Sequence, residues 1–299
     1  MRVVSYRSLG SSGLGVLDGD QVIDVGAAAP RLPDDLGAVL AMPNGLAALS
    51  EVQKARSARR LPLDAVELDL PVTAPRKIVC LGLNYADHAA EGGHAAPDYP
   101  ALFMRALTSL APHGAPLVRP RCSEKLDYEA ELLVVIGTGG RHIPKARALE
   151  HVAGYSCFND GSVRDYQRKS TQWTIGKNFD ATGGVGPWFV SADELPPGAK
   201  GLRIRSRLNG TVMQDSNTKR MIFDVATTIA TLSEAMTLEP GDLIAMGTPA
   251  GVGNARKPPV YMEPGDVVEI EIEGIGVLRN PIVAEGAARA AIPEATKAV

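Results

Sequence analysis

The sequence predicts an α+β fold rich in β-strands, and three observations support this prediction. The 299 residues include 31 Gly and 22 Pro, a larger share than most globular proteins contain, which indicates many turns. Pro-Gly-Asp triplets at 240–242 and 264–266 each introduce a segment rich in aliphatic residues, as expected where a strand begins. Asn209-Gly210 follows a segment of alternating apolar and basic residues, which is typical of a β-hairpin turn. These features exclude a helical bundle.

The charge balance and the cysteines restrict the possible function classes. Lys and Arg number 31 against 34 Asp and Glu, so the net charge of −3 leaves no basic surplus to bind a nucleic-acid backbone. Cys80, Cys122 and Cys157 lack a C-x-x-C pair, which indicates reduced thiols rather than disulfides or a zinc site. No segment approaches the roughly 18 apolar residues of a membrane span, and the N-terminus lacks the features of a signal peptide. We expect a soluble cytoplasmic protein that binds neither nucleic acid nor membrane.

Prolines at positions 62, 71 and 75 predict a domain boundary near residue 72. We expect a small N-terminal α/β domain over 1–72, a catalytic domain over 73–285 and a C-terminal tail over 286–299. Glycines divide the first residues, 2–25, into two or three short strands, and the apolar spacing of 45–59 predicts a helix.

The larger domain is predicted to contain short strands and short helices. Apolar runs predict strands at 77–81, 126–136 and 154–158, and the helices are predicted at 84–91, 145–151 and 224–236. Asn84 and Asp87 are three positions apart, so we expect them to cap the first of these helices.

Two segments contain alternating acidic residues, and their surroundings distinguish them. Glu269, Glu271 and Glu273 alternate with Val268, Ile270 and Ile272, which predicts a half-buried antiparallel strand with a solvated acidic face. Asp127, Glu129 and Glu131 instead run directly into the apolar segment 132–136, which predicts a strand that is covered on both faces.

Glu129 and Glu131 are therefore expected to converge where a buried strand enters the core. Residues i and i+2 of a strand share one face and are about 6.6 Å apart at the backbone. Two ionised carboxylates repel each other there and lose hydration, unless a cation compensates them. Oxygen ligands favour Mg²⁺, Mn²⁺ or Ca²⁺ over zinc. Asp160, at the end of the next predicted strand, is the candidate third ligand; alternatively, it pairs with Arg164 or caps the following helix.

Several segments, in order and with matching spacing over about 75–282, resemble the fumarylacetoacetate hydrolase family. They are GLNYADHAAE at 82–91, DYEAE at 127–131, FNDGSVRDYQ at 158–167, GKNFD at 176–180, Asn209-Gly210 with Met213-Gln214, and LEPGD at 238–242 leading to GTPAGVG at 247–253.

This resemblance implies a mixed β-roll catalytic domain that forms a homodimer and binds Mg²⁺ or Mn²⁺ through Glu129, Glu131 and Asp160, with Ca²⁺ as a substitute in crystals. Family members act on 2-oxo and β-diketo acids, whose carboxylate and 2-oxo groups chelate the metal. The cation then stabilises the enolate that develops. Residues 83–85 supply no fourth acidic ligand, so we expect waters to complete the coordination.

The resemblance also implies roles for individual side chains. His88 and Glu91 match the pair that activates water in hydrolysing members, and Lys177 matches an active-site cation beside the metal. The expected substrate contacts are Gln167, Thr248, Tyr85 and Arg105, the last at a position where many relatives have lysine.

Three functions are compatible with these residues. The intact His88–Glu91 pair favours a metal-dependent hydrolase that cleaves a C–C bond in a 2,4-dioxo acid of the acylpyruvate or fumarylpyruvate type. The alternative enzyme is a 2-oxo acid decarboxylase, hydratase or isomerase of an aromatic or sugar catabolic pathway. A protein that binds a small acid without turnover is the third hypothesis.

Overall fold

The structure is a computed structural model that describes residues 1–288 apart from residues 9, 56, 57, 94 and 96. Most of the predicted tail over 286–299 therefore lies outside the described residues. Among the described helices, none combines the length and the apolar character needed to cross a bilayer.

Nineteen strands and eight α-helices lie within the described residues. The strands are β1 (Arg2–Ser8), β2 (Ser11–Asp18), β3 (Gln21–Asp24), β4 (Arg60–Pro62), β5 (Glu67–Leu68), β6 (Ile78–Gly82), β7 (Ala101–Met104), β8 (Leu110–Pro112), β9 (Leu117–Arg119), β10 (Leu126–Asp127), β11 (Ala130–Ile136), β12 (Val152–Asn159), β13 (Ser162–Val163), β14 (Gly183–Ser191), β15 (Arg203–Leu208), β16 (Thr211–Asn217), β17 (Leu243–Ala245), β18 (Val267–Ile272) and β19 (Gly276–Ala284). The helices are α1 (Val25–Ala28), α2 (Leu36–Leu40), α3 (Gly45–Val52), α4 (Ala86–Glu91), α5 (Arg164–Gln167), α6 (Thr174–Lys177), α7 (Val225–Ala235) and α8 (Glu285–Ala288).

Two large sheets dominate the fold, which confirms the predicted strand-rich α+β class. The first has 12 strands in the order β4-β3-β2-β1-β14-β12-β11-β17-β6-β7, with β5 beside β1 and β8 beside β14. The second has five strands in the order β16-β15-β18-β19-β9, and β10 pairs separately with β13. Most pairs are antiparallel, but β17 with β6, β14 with β8 and β19 with β9 are parallel.

Strand β11 is the centre of the core because it is buried on both faces. Leu132 and Val134 point into a cluster that includes Ile270 of the second sheet, whereas Leu133 and Val135 belong to a cluster shared with the N-terminal strands. Burial on both faces explains the continuous apolar run in the sequence.

The N-terminal strands extend the same sheet as the catalytic residues. Val3 of β1 pairs with Phe189 of β14, and both side chains are buried in one cluster. The sheet therefore crosses the boundary near residue 72, and the division into two domains stays a prediction.

The turn and helix signals in the second half of the chain are confirmed. Asn209 and Gly210 both adopt positive φ, at 51° and 79°, and connect β15 to β16. Helix α7 begins after Asp224, whose side chain accepts a hydrogen bond from the backbone N–H of Thr227.

Several predicted elements differ from the structure in their bounds or type. The helix predicted over 45–59 ends at Val52, and the segment 145–151 is a 3₁₀-helix. The strand predicted over 126–136 is interrupted, because the N–H of Glu129 donates to the side chain of Asn159. The helix predicted from residue 84 begins at Ala86.

Asn84 does not cap that helix, because its side chain is engaged elsewhere. Its amide donates to the carbonyls of Phe223 and Met246, at 3.0 and 2.7 Å, and its oxygen accepts from the N–H of Phe223. Asn84 therefore anchors the segment before α4 to two distant loops.

The acidic face of β18 is not simply solvated as predicted. Glu271 accepts hydrogen bonds from Arg205 and Arg207 on the neighbouring β15, and Glu269 lies 3.6 Å from Arg279 on β19. Cross-strand neighbours lie close enough for such pairs. These side chains stay partly exposed, so each pair contributes little to stability.

The two sides of the second sheet lead to a stability prediction. Ile270 is completely buried, whereas Val277 on the adjacent strand is 38% exposed. We expect Ile270→Ala to lower the free energy of unfolding by about 2–5 kcal/mol, because it leaves a cavity. Val277→Ala should change it by less than about 0.5 kcal/mol. Urea titration of both variants measures the difference, and equal losses would contradict the assignment of the two faces.

Candidate metal centre and active site

Three buried carboxylates meet where β11 begins and β12 ends. Ala130 pairs with Asn159 in the antiparallel register, so Glu129, Glu131 and Asp160 lie on either side of this pair. The N–H of Asp160 donates to the carbonyl of Glu129 at 3.0 Å. One carboxylate oxygen from each acid lies within 4.8 Å of the others. The structure thus brings together the three residues that the sequence predicts as ligands.

Three cationic side chains surround this carboxylate triad. Lys177 Nζ lies 2.7 Å from Glu129 Oε2 and 2.6 Å from Asp160 Oδ2. Arg164 Nη2 lies 2.7 Å from Glu129 Oε1, and Arg105 Nη1 donates to Asp160 Oδ1. Asp160 therefore pairs with Lys177 and Arg105, and not with Arg164 as the alternative interpretation of the sequence proposed.

Glu131 is the acid that these cations compensate least. Burial raises its pKa well above the usual carboxyl range, and the charges of Asp160 and Glu129 raise it further. One compensating contact is the N–H of Gly247, which donates to Glu131 Oε2 at 2.9 Å. Burial opposes ionisation of Glu129 as well, but Lys177 and Arg164 outweigh it and hold the pKa of Glu129 well below its usual value.

The donor set of the triad fits a hard divalent cation. All the ligand atoms are carboxylate oxygens, which suit Mg²⁺ and Mn²⁺. Burial and the charges of Asp160 and Glu129 together raise the pKa of Glu131 more than Lys177 and the N–H of Gly247 lower it. A dication held by Glu129, Glu131 and Asp160 would remove the repulsion among these acids.

A cavity of about 680 Å³ lies beside the triad. Seven of the predicted site residues line it: His88, Glu91, Glu129, Glu131, Gln167, Lys177 and Thr248. Trp173 and Phe103 form an apolar wall, with their rings edge to face at 5.8 Å. A Cβ on Gly82 would lie 2.1 Å from the Trp173 ring, so this wall requires glycine there.

Two predicted substrate contacts, Tyr85 and Arg105, are not among the residues that line the cavity. Arg105 lies behind Asp160, where its guanidinium also donates to Ser109 and Thr182. A buried guanidinium needs several acceptors, and Asp160, Ser109 and Thr182 supply them there. Tyr85 is fully buried, and its hydroxyl has no hydrogen-bond partner among the described residues.

His88 and Glu91 form the predicted pair on one face of α4. His88 Nδ1 lies 3.4 Å from Glu91 Oε2, and Glu91 also accepts from the N–H of Gly251 at 2.9 Å. Burial alone would raise the pKa of Glu91, but the hydrogen bonds from His88 and Gly251 outweigh it and lower that pKa. An ionised Glu91 favours a proton on Nδ1 and leaves Nε2 of His88 free to act as a base.

Arg164 is the main site residue whose role the sequence did not reveal. It lines the cavity, and its guanidinium donates to Asp127 Oδ2 at 2.8 Å and to Gln167 Oε1 at 3.0 Å. Its position three residues before Gln167 on the same short helix was the available signal, since residues at i and i+3 share a face.

Comparisons with known proteins show similarity along most of the chain. Residues 77–283 match the family model described as fumarylacetoacetate (FAA) hydrolase C-terminal. The chain is 39% identical to oxaloacetate tautomerase fahd2, mitochondrial, of Xenopus laevis over 291 residues, covering 95% of this chain and 90% of that protein.

Two solved structures are also similar along nearly the whole chain. Fumarylacetoacetate hydrolase from Exiguobacterium antarcticum is 37% identical, with a TM-score of 0.83 and coverage of 95% of this chain and 100% of that one. Maleylpyruvate hydrolase from Sphingobium sp. SYK-6, in complex with manganese(II) and pyruvate, is 29% identical, with a TM-score of 0.77 and coverage of 95% and 99%.

The raised pKa of Glu131 predicts how stability depends on pH without metal. The unfolded chain loses this proton near the ordinary carboxyl pKa, but the folded chain retains it to higher pH. Stability contributed by the protonated group is therefore lost as pH rises. We expect the Tm of the protein in EDTA to fall as the pH rises above the ordinary carboxyl range, and to fall less in Glu131→Gln.

Thermal denaturation of both proteins in EDTA and in excess Mn²⁺ provides the measurement. Mn²⁺ should raise the Tm of the unsubstituted protein, because a ligand that binds only the folded state stabilises it, and should raise that of Glu131→Gln much less. An equal decline of Tm with pH in both proteins would show that another group causes it.

Proposed function

The chain belongs to the fumarylacetoacetate hydrolase family, and we propose that it is a divalent-metal-dependent enzyme that interconverts the keto and enol forms of an oxaloacetate-like 2-oxo acid. One observation carries this proposal: the His88–Glu91 pair lines the same cavity as Glu129 and Glu131, two members of a carboxylate triad suited to Mg²⁺ or Mn²⁺. The full-length similarity to a protein named oxaloacetate tautomerase supports the choice of reaction.

The side chains of this cavity suit proton transfer next to a carbonyl. The 2-oxo acid is bound with its anionic end among Lys177, Arg164 and Thr248. His88 Nε2 removes a proton from the carbon next to the 2-oxo group; the electron pair of that C–H bond forms the C=C bond of the enolate, and the π pair of the carbonyl moves to its oxygen. The protonated His88 then gives its proton to this oxygen, which yields the enol with no net change in atoms. A divalent cation held by Glu129, Glu131 and Asp160 would supply positive charge that stabilises an enolate.

Hydrolysis of a C–C bond in a 2,4-dioxo acid is the second candidate. The same base, His88, oriented by Glu91, would take a proton from water, which attacks the distal carbonyl. The C–C bond then breaks and the electron pair forms the enolate of pyruvate. The similarity to a maleylpyruvate hydrolase supports this reaction.

Assays on a substrate panel distinguish these reactions. Ultraviolet absorbance follows the enol content of oxaloacetate, and pyruvate release reports cleavage of acylpyruvates, each with Mn²⁺ and with EDTA. Metal-dependent tautomerisation without pyruvate release would support the first candidate, and pyruvate release the second. Protein that holds Mn²⁺ but turns over none of these acids would contradict both and indicate an acid-binding protein. Cytoplasmic location and homodimerisation stay predictions.

His88→Ala tests the role of the base. We expect kcat for tautomerisation to fall by about 10²–10⁴-fold, since general acid–base catalysis contributes that much. Mn²⁺ affinity should not change, because His88 is not one of the triad acids. Decarboxylation of oxaloacetate that the bound cation promotes should survive in part.

The matched control is His142→Asn. His142 is exposed and has a φ of 52°, which asparagine tolerates, so kcat should be unchanged. Full tautomerase activity of His88→Ala would exclude His88 as the base.

A further inference from the structure

Gln214 connects the strand of the metal ligands to the loop that lines the cavity. It is 1% exposed and is the buried residue of β16, whose other side chains are exposed or half-buried. A β-bulge between β15 and β16 lies directly beside it, since Ser206 pairs with Gln214 but Arg207 pairs with Val212. Bulges change the direction of side chains and occur often near active sites.

The hydrogen bonds of Gln214 fix the orientation of its amide. Its oxygen accepts from the N–H of Ala130 at 2.9 Å, and that N–H can only donate. Its nitrogen donates to the carbonyl of Pro249 at 2.8 Å, and that oxygen can only accept. A flipped amide would place donor against donor and acceptor against acceptor, so only one orientation is possible.

This orientation determines what the Thr248 hydroxyl can do. The second N–H of Gln214 donates to Thr248 Oγ1 at 2.7 Å, so the hydroxyl oxygen is an acceptor in this contact. The Thr248 proton has no acceptor among the described residues, and Thr248 lines the cavity. Its proton is therefore available to a ligand.

We propose that Gln214 is a positioning residue that makes Thr248 a hydrogen-bond donor to an anionic oxygen of the bound acid. This inference rests on the proposed function only in taking the ligand to be a 2-oxo acid. Ala130 lies between Glu129 and Glu131, so the same amide also ties the position of Thr248 to the carboxylate triad. Because Thr248 then presents a donor to the cavity, the arrangement favours a ligand carboxylate, which accepts hydrogen bonds, over a neutral ligand group that donates them.

Gln214→Glu tests this role with almost no change in shape. One glutamate oxygen can still accept from Ala130, but the other cannot donate to Thr248 and instead accepts its proton. We expect the affinity for oxalate, measured by calorimetry with Mn²⁺ bound, to fall by about 10- to 100-fold, since hydrogen bonds to charged groups are strong. Mn²⁺ affinity should stay within about twofold, since the triad is unchanged. For turnover, KM should rise more than kcat falls.

A double-mutant cycle separates lost hydrogen bonding from charge repulsion. Thr248→Val, which lacks the hydroxyl, should weaken oxalate binding by a similar factor. Thr248→Ser, which keeps the hydroxyl, should bind oxalate as the unsubstituted protein does. In the Gln214→Glu protein, Thr248→Val should not weaken oxalate binding any further. If the two substitutions together weaken oxalate binding by the product of their separate factors, the new charge acts by repulsion and the proposal is wrong. The proposal is also wrong if Gln214→Glu binds oxalate as tightly as the unsubstituted protein.

Ser206→Ala is the matched control. Ser206 donates to the same Gln214 oxygen at 2.8 Å, but Ala130 and Pro249 still fix the amide without it, so oxalate affinity should be unchanged. If Gln214→Glu does not fold, Gln214→Met replaces it. Several-fold weaker oxalate binding is then expected, and unchanged binding contradicts the proposal. Unsubstituted protein that binds oxalate but turns over no oxo acid would refute the proposed function alone.

Discussion

The mutual repulsion of three buried carboxylates is the constraint on which the rest of the site depends. Glu129, Glu131 and Asp160 lose their hydration at the junction of two central strands, and each would be costly to ionise alone. The chain meets this cost with Lys177, Arg164 and Arg105. Lys177 and Arg164 favour ionisation of Glu129, but Glu131 keeps a raised pKa. The unbalanced part of the negative charge is what a divalent cation would neutralise.

Glycine residues leave room for the side chains of Arg105 and Lys177. A Cβ on Gly183 would lie 2.8 Å from Arg105 Nη2, and one on Gly176 would lie 2.4 Å from the backbone nitrogen of Gln167. Gly176 directly precedes Lys177 on α6, so a larger residue there would displace the lysine. Glycine is thus needed beside the cations as a matter of packing, independently of backbone conformation.

The sequence predicted the triad because its signals are local, and failed where tertiary contacts decide. Alternating acids that run into an apolar segment identify Glu129 and Glu131 without knowledge of their neighbours. Arg105 follows a short strand from which it can reach either the cavity or Asp160, and only the folded structure decides between them. Gln214 is similar: a residue in an alternating hairpin strand is expected to follow the pleat, and the bulge that brings it to Ala130 leaves no clear trace in the sequence.

The carboxylate triad does not by itself choose between tautomerisation and C–C cleavage, because both reactions pass through an enolate of a 2-oxo acid. In the two proposed reactions His88 takes a proton from different groups: from a C–H bond of the substrate in tautomerisation, and from a water molecule in C–C cleavage. Glu91 contacts His88, the proposed base on α4, and also accepts a hydrogen bond from the N–H of Gly251, in the loop 247–253 that carries Thr248. Hydrolysis consumes a water molecule, which must be held near the distal carbonyl, whereas tautomerisation consumes none. The packing of α4 against this loop is therefore the feature most able to select the reaction.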